Sequence, residues 1–181
     1  MKTTPIRRFG QAPLAVEANP HLLLTVLGVT YAVPLLAVRE AMDLVRLDTV
    51  PGAPQALMGT QVLRGHRIPV VDLGAILERR RLRPTRTSCT LVAEAGAPGV
   101  LVGLAVDGVS GVKGLAASDL APPPLLGALG GLDVVSALAS TDLGLVAVLD
   151  PLRILRSAEA RTALAVWQSV EQTAADPVGA V

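Results

Sequence analysis

A chain of 181 residues with a net charge of +1 is long enough to bury a sizeable core, so neither disulfides nor a structural metal are needed for it to fold. With 51% hydrophobic and only 2% aromatic residues, the interior must be filled by Val, Leu and Ala, and the dense basic surface and stacking rings that nucleic-acid binding needs are both lacking. The single cysteine, Cys89, excludes an internal disulfide and a cysteine-built metal site; it reads as a small buried hydrophobe in a reducing compartment.

Residues 1–19 read as a flexible basic tail, with Lys2, Arg7 and Arg8 set among prolines at 5, 13 and 20. This opening has no apolar core region and is not a secretory signal. Mean hydropathy is high at +0.53. However, Leu22–Val38 is broken by Thr25, Gly28, Thr30 and Pro34, and the apolar runs Gly99–Val106 and Leu143–Leu149 are too short to cross about 30 Å of hydrocarbon. The expectation is a soluble, cytoplasmic protein without direct membrane insertion.

Leu22–Leu27 and Tyr31–Val33 flank Gly28, Val29 and Thr30 in a strand, turn, strand pattern. The segment Leu35–Met42 places Leu35, Val38 and Met42 on one helical face, which predicts a short helix or a single turn of one. Val50–Pro54 forms a proline-fixed turn.

The most informative stretch is Gly59–Leu77. A β-rich run, Ile68–Val71, follows a basic turn (Arg64, Gly65, His66, Arg67) and ends at Asp72, whose carboxylate can cap a following short helix. Arg64 beside Gly65 puts a planar fork of donors at a hairpin tip, which suits either recognition of a partner or a structural clamp. Beyond Leu77, the run Arg79–Arg86 reads as a solvated helix end and linker, or as a face for an acidic partner.

The second half repeats this plan. A strand pair spans Thr90–Val106 with a turn at Ala95–Gly99, and Pro122–Gly131 reads as a loop. The sequence VVDLGAIL at Val70–Leu77 is echoed by VLDPLRIL at Val148–Leu155, each a β-branched strand end, an aspartate at the N-cap and a short apolar helix. Pro151 takes the first helical position, where its missing donor does no harm. Many short strands with Gly- and Pro-rich turns predict an all-β fold of barrels or a sandwich, in two similar subdomains covering about 22–82 and 88–150. A closing helix is expected from 151, followed by a C-terminal helix and tail over 157–181, with Leu155, Leu164, Trp167 and Val170 available for packing.

Catalytic patterns are absent. Gly108, Val109, Ser110 and Gly111 lack the closing glycine of a nucleophile elbow because Val112 stands there. Glycines 108, 111 and 114 are followed by no Lys-Ser/Thr pair of a phosphate loop, and His21 and His66 have no triad or metal-ligand spacing. No catalytic residue, metal or cofactor is expected.

Gly59, Leu63, Arg64, Gly65, Pro69, Val70, Val71, Asp72 and Leu73 together form the pattern G-x-x-x-L-R-G-x-x-x-P-V-V-D-L, which resembles the signature of the CheW family of chemosensory coupling proteins. Tyr31, Val33, Val38 and Glu40 match the family's Y-x-V-x-x-x-x-V-x-E segment, and Val106–Val112 is similar to V-D-G-V-S-D-V, with Gly111 in place of the second acid. The resemblance covers about residues 20–156. It implies two five-stranded SH3-like barrels joined by short helices, with an apolar groove between them. It further implies two partners: the cytoplasmic tip of a chemoreceptor, at Leu35, Val38, Glu40, Gly59, Arg64 and Gly65, and the regulatory domain of a CheA-type histidine kinase, around Val106, Asp107, Val109 and Val112. Val62 stands where family members often have asparagine, which leaves open a divergent chemosensory pathway, for motility or development, that lacks one usual partner. A small-ligand barrel or an unrecognised hydrolase is the remaining alternative.

Overall fold

A computed structural model describes residues 19–123 and 132–175. The expected N-terminal tail, most of the 122–131 loop and the end of the C-terminal tail lie outside the described residues. In chain order the elements are β1 (Pro20–Val26), β2 (Val29–Pro34), β3 (Glu40–Asp43), β4 (Leu57–Leu63), β5 (His66–Asp72), α1 (Leu73–Leu77), β6 (Cys89–Glu94), β7 (Leu101–Val106), β8 (Gly108–Gly114), β9 (Leu120–Ala121), β10 (Val135–Thr141), β11 (Gly144–Leu149), α2 (Pro151–Arg156) and α3 (Ala158–Ala175).

The fold is mostly β, in two sheets, consistent with the expected pair of SH3-like subdomains. One sheet has five strands in the order β3-β6-β7-β5-β4. The other has six, β8-β1-β2-β11-β10-β9, the last being a two-residue strand. Leaving β9 aside, the two orders are equivalent strand for strand. Each has an antiparallel pair (β3/β6, β8/β1), a hairpin (β6/β7, β1/β2), a parallel seam (β7/β5, β2/β11) and a second hairpin (β5/β4, β11/β10).

Sheet membership does not follow a division of the chain near residue 85. The five-stranded sheet takes residues 40–106, and the N-terminal hairpin β1–β2 joins the strands that follow residue 107. The physical reason is the parallel seam, which needs a crossover: β5 reaches β7 through α1 and β6, whereas among the described residues no strand follows β11, and it pairs with β2 from early in the chain.

The echoed motifs do the same job twice. Asp72 caps α1 by accepting from Ala75 N, and Asp150 caps α2 by accepting from Leu152 N, with Pro151 at the first helical position. Between the sheets lies one large core that includes Leu24, Val33, Leu57, Val70, Leu104 and Leu149. Onto it α3 lays Ala160, Ala163 and Trp167, while Val170, expected to pack, is exposed. The segment 35–42 departs from the helical expectation: only Leu35–Ala37 forms a 3-10 turn, and Glu40–Asp43 pairs with β6, because its half-buried face closes a small cluster with Leu63, Ile68 and Val92.

Candidate functional site

The β4–β5 hairpin closes with a two-residue turn, since Leu63 and His66 are paired directly. Arg64 (φ 49°) and Gly65 (φ 87°) are both left-handed, the backbone that a type I′ turn requires. His66 and Arg67, expected in the turn, belong to β5 instead. Gly65 takes this conformation freely. Arg64 takes it at a cost of about 1 kcal/mol, because a Cβ crowds the left-handed region and asparagine or glycine is the favoured occupant.

The Arg64 side chain is 72% exposed and its Nη2 donates to Glu40 Oε2 at 3.2 Å; the Glu40 side chain is 16% exposed. Glu40 opens β3, one edge strand of the five-stranded sheet, and Arg64 directly follows β4, the other edge strand, so their contact joins the sheet's two edges at one end. Two further ion pairs, Arg39–Glu94 and Arg67–Asp48, decorate the same sheet. The Arg64–Glu40 pair lines a cleft of about 510 Å³ together with Pro69 and Val102 of the sheet and Leu164, Trp167 and Gln168 of α3.

The structure brings Glu40, Arg64 and Gly65 together. Leu35 and Val38 are half-buried and pack against the main core, so their contribution to a surface is limited. The side chain that this segment presents outward is Leu36, 92% exposed, beside a second cleft shared with Pro151 and Leu152 of α2. Adjacency to Leu35 gave no signal for it, since the adjacent Leu22, Leu23 and Leu24 are all buried. Gly59 is buried at a bulge in β4, at φ 150°, where a Cβ would sit 2.6 Å from the Asp48 carbonyl oxygen. It serves the backbone rather than a partner.

The second constellation is largely internal. Val106 is fully buried, Val109 is half-buried against the core, and the Asp107 carboxylate accepts from Leu27 N, fixing the β1–β2 turn. Only Val112, on the outer strand β8, presents apolar surface. Trp167 was assigned to packing and does pack, at 9% exposure, but it also lines the cleft.

Two titrating groups have buried surroundings. Burial pushes the Asp72 carboxyl up, against the lowering effect of the N–H groups of Ala75, Leu82 and Gly74 and of the nearby Arg81 charge. Burial, then the adjacent Glu78 that accepts its hydroxyl at 3.2 Å, pushes Tyr31 up to about 12. Both sit inside the fold and not in the cleft. Among the described residues no group of three His, Cys, Asp or Glu side chains converges as a metal site would require, and no helix is long and apolar enough to cross a membrane.

Residues 20–159 match the family model described as the CheW-like domain. The chain is 33% identical over 94 residues to the chemotaxis protein CheW of Rhizobium meliloti, covering 52% of this chain and 59% of that protein. It is 24% identical over 138 residues to the chemotaxis protein CheW of Klebsiella aerogenes, covering 76% and 82%. The match to the first of these relatives thus spans less than two thirds of its length. Among solved structures, the scaffolding protein TtCheW from Thermoanaerobacter tengcongensis superposes with a TM-score of 0.69 at 22% identity, over 78% of this chain and 95% of that one. At that identity the likeness is one of fold.

Proposed function

The chain belongs to the CheW family, and from that premise we propose that it is a non-catalytic cytoplasmic scaffold coupling chemoreceptors to a CheA-type histidine kinase. The observation that carries the reading of the site is Arg64: a charged, mostly exposed side chain held in a left-handed turn where asparagine or glycine would fold more easily, and aimed by Glu40 across the mouth of an open cleft. The left-handed turn is not distinctive by itself, because Leu27 and Gly28 form the same one between β1 and β2; what supports a use at Arg64 is its exposed charge beside the cleft.

In this reading the receptor tip lies along the rim formed by Glu40, Arg64 and Gly65, with Leu36 as its apolar contact, and the arginine fork supplies directional donors to the partner helix. The kinase regulatory domain meets β8, whose outer edge carries Val112 and offers unpaired backbone groups for sheet-to-sheet contact. Pull-down of the purified chain with a receptor tip fragment and with a kinase regulatory domain tests this directly. Capture of both, singly and as a ternary complex, is expected; capture of neither would overturn the proposal.

The divergent-pathway reading has one observation in its favour. Val62, two residues before Arg64, is half-exposed where family members often carry asparagine, so the rim is more apolar than the usual one. Loss of one of the two captures would select it.

A further inference from the structure

A second charged feature follows α1, at the far end of β5 from Arg64, and the strand's seven residues put the two ends roughly 20 Å apart. Residues 79–86, RRRLRPTR, carry five arginines, while the whole chain nets only +1. All five are exposed. Among the described residues none of them forms an ion pair; the pairs present use Arg39, Arg64, Arg67, Lys113 and Arg153. Arg81 alone is engaged by side-chain hydrogen bonds, donating to the carbonyl oxygens of Gln55 and Leu57.

The loop is nevertheless tightly built. Leu82 is buried and its N–H donates to the buried Asp72 carboxylate at 3.1 Å. Arg80 N donates to Gly74 O at 3.2 Å, Gln55 Nε2 to Arg79 O at 3.2 Å, and Thr85 N to Ser88 Oγ at 2.8 Å. Thr87 Oγ1 donates to Asp107 O at 3.1 Å, tying the loop's end to the second sheet. Like charges so close together repel, and a pinned backbone prevents them from spreading apart. Such a surface is preorganised for an anion, because the ordering of its backbone is already done before binding.

We propose that the arginine loop over residues 79–86 is a docking surface for an acidic segment of a partner protein, separate from the Arg64 rim. A protein segment fits better than the other polyanions. The loop has no aromatic side chain on which a base could stack. Its one leucine points inward, and the exposed Pro84 is the only apolar residue left, so no large apolar side chain can enter a bilayer. Spaced arginine forks match spaced carboxylates bidentately.

The test uses the full chain and a fluorescein-labelled oligoglutamate peptide, read by anisotropy. Binding is expected at about 0.15 M salt and should vanish near 1 M, as the screening length falls from roughly 8 to 3 Å. R79Q/R80Q/R83Q, which leaves Arg81 in place, should bind at least about tenfold more weakly with its melting temperature unchanged. R83E alone provides the same readout with a single change at an exposed site. Arg64→Asn should leave oligoglutamate binding intact, which separates this surface from the receptor rim. Undiminished binding by both loop variants, no binding by the unaltered chain at the lower salt, or tighter binding of a DNA oligomer or of phosphatidylglycerol vesicles than of the peptide would each overturn the proposal.

Discussion

Replacing Arg64 by asparagine separates folding from recognition at the cleft rim. Two stability terms oppose each other. The ion pair with Glu40 is lost, but an arginine side chain that is 72% exposed gains only about 0.2 to 1 kcal/mol from such a contact. Asparagine in turn tolerates the left-handed conformation at φ 49° and returns about 1 kcal/mol. Urea unfolding of R64N should therefore stay within about 1 kcal/mol of the parent, and a double-mutant cycle with Glu40→Gln should give a coupling under about 1 kcal/mol. Affinity for a receptor tip fragment should fall much further, by about 2 kcal/mol or roughly thirtyfold if the guanidinium is a central contact. A stability loss above about 2 kcal/mol with affinity unchanged would make Arg64 an internal clamp and refute the surface reading.

The remaining predictions concern the frame that holds this rim. Val70→Ala, at a fully buried position, should lower stability by about 2 kcal/mol in a denaturant titration while partner binding by the folded fraction is retained. Gly59→Ala should be at least as damaging, since its Cβ would press on the Asp48 carbonyl in a backbone conformation that alanine avoids; unchanged thermal unfolding would contradict the bulge assignment. Asp72, with its carboxyl pushed up by burial, keeps its proton in the folded state over the range just above 3.8, in which the unfolded chain releases it. Its contribution to stability is therefore present at low pH and is lost as pH rises above the ordinary value of 3.8. Compared across that range by urea unfolding, Asp72→Asn should lose less stability than the parent as pH rises, and parallel curves would refute the assignment. Tyr31 is the only tyrosine, so spectrophotometric titration reads it alone. Its midpoint is expected near 12 in the folded chain and lower in Glu78→Gln.

How much of this was legible in the sequence depends on how local each determinant is. The hairpin turn after Leu63, the Asp72 and Asp150 caps and the strand pair around Ala95–Gly99 are each set within a few residues, and all are present, the turn shorter than expected because His66 and Arg67 join β5. Sheet membership was not legible. It is decided by ladders such as Leu22↔Val112 and Ala147↔Tyr31, and no periodicity reports which distant edge a strand will meet. The Leu35–Met42 segment shows the competition directly. Its apolar spacing suits a helix, but four residues of pairing with β6 satisfy the backbone and bury Ala41, and tertiary context prevails. For the site, Glu40 and Arg64 are 24 residues apart; family resemblance linked them, and physical spacing alone did not.

The shared strand order gives the exposed segment its meaning. Each unit has five strands with one parallel seam, yet the second unit is completed by the hairpin made first, so the chain must pass from β2 in one sheet to β3 in the other. That passage is residues 35–39. Leu36 on it lines a cleft with Pro151 and Leu152 of α2, which follows β11 of the six-stranded sheet, while Glu40 just after it pairs with Arg64 of the five-stranded one. A partner that contacts Leu36 and the Glu40–Arg64 rim together therefore touches both units at the point where they are covalently joined. The two units share one buried core, in which Leu24, Val33 and Leu149 of one sheet pack with Leu57, Val70 and Leu104 of the other, so they cannot turn relative to each other without disrupting it. In the proposed scaffold role, a partner at this crossing would therefore meet a frame in which packing has already set the position of β8 and its Val112 face.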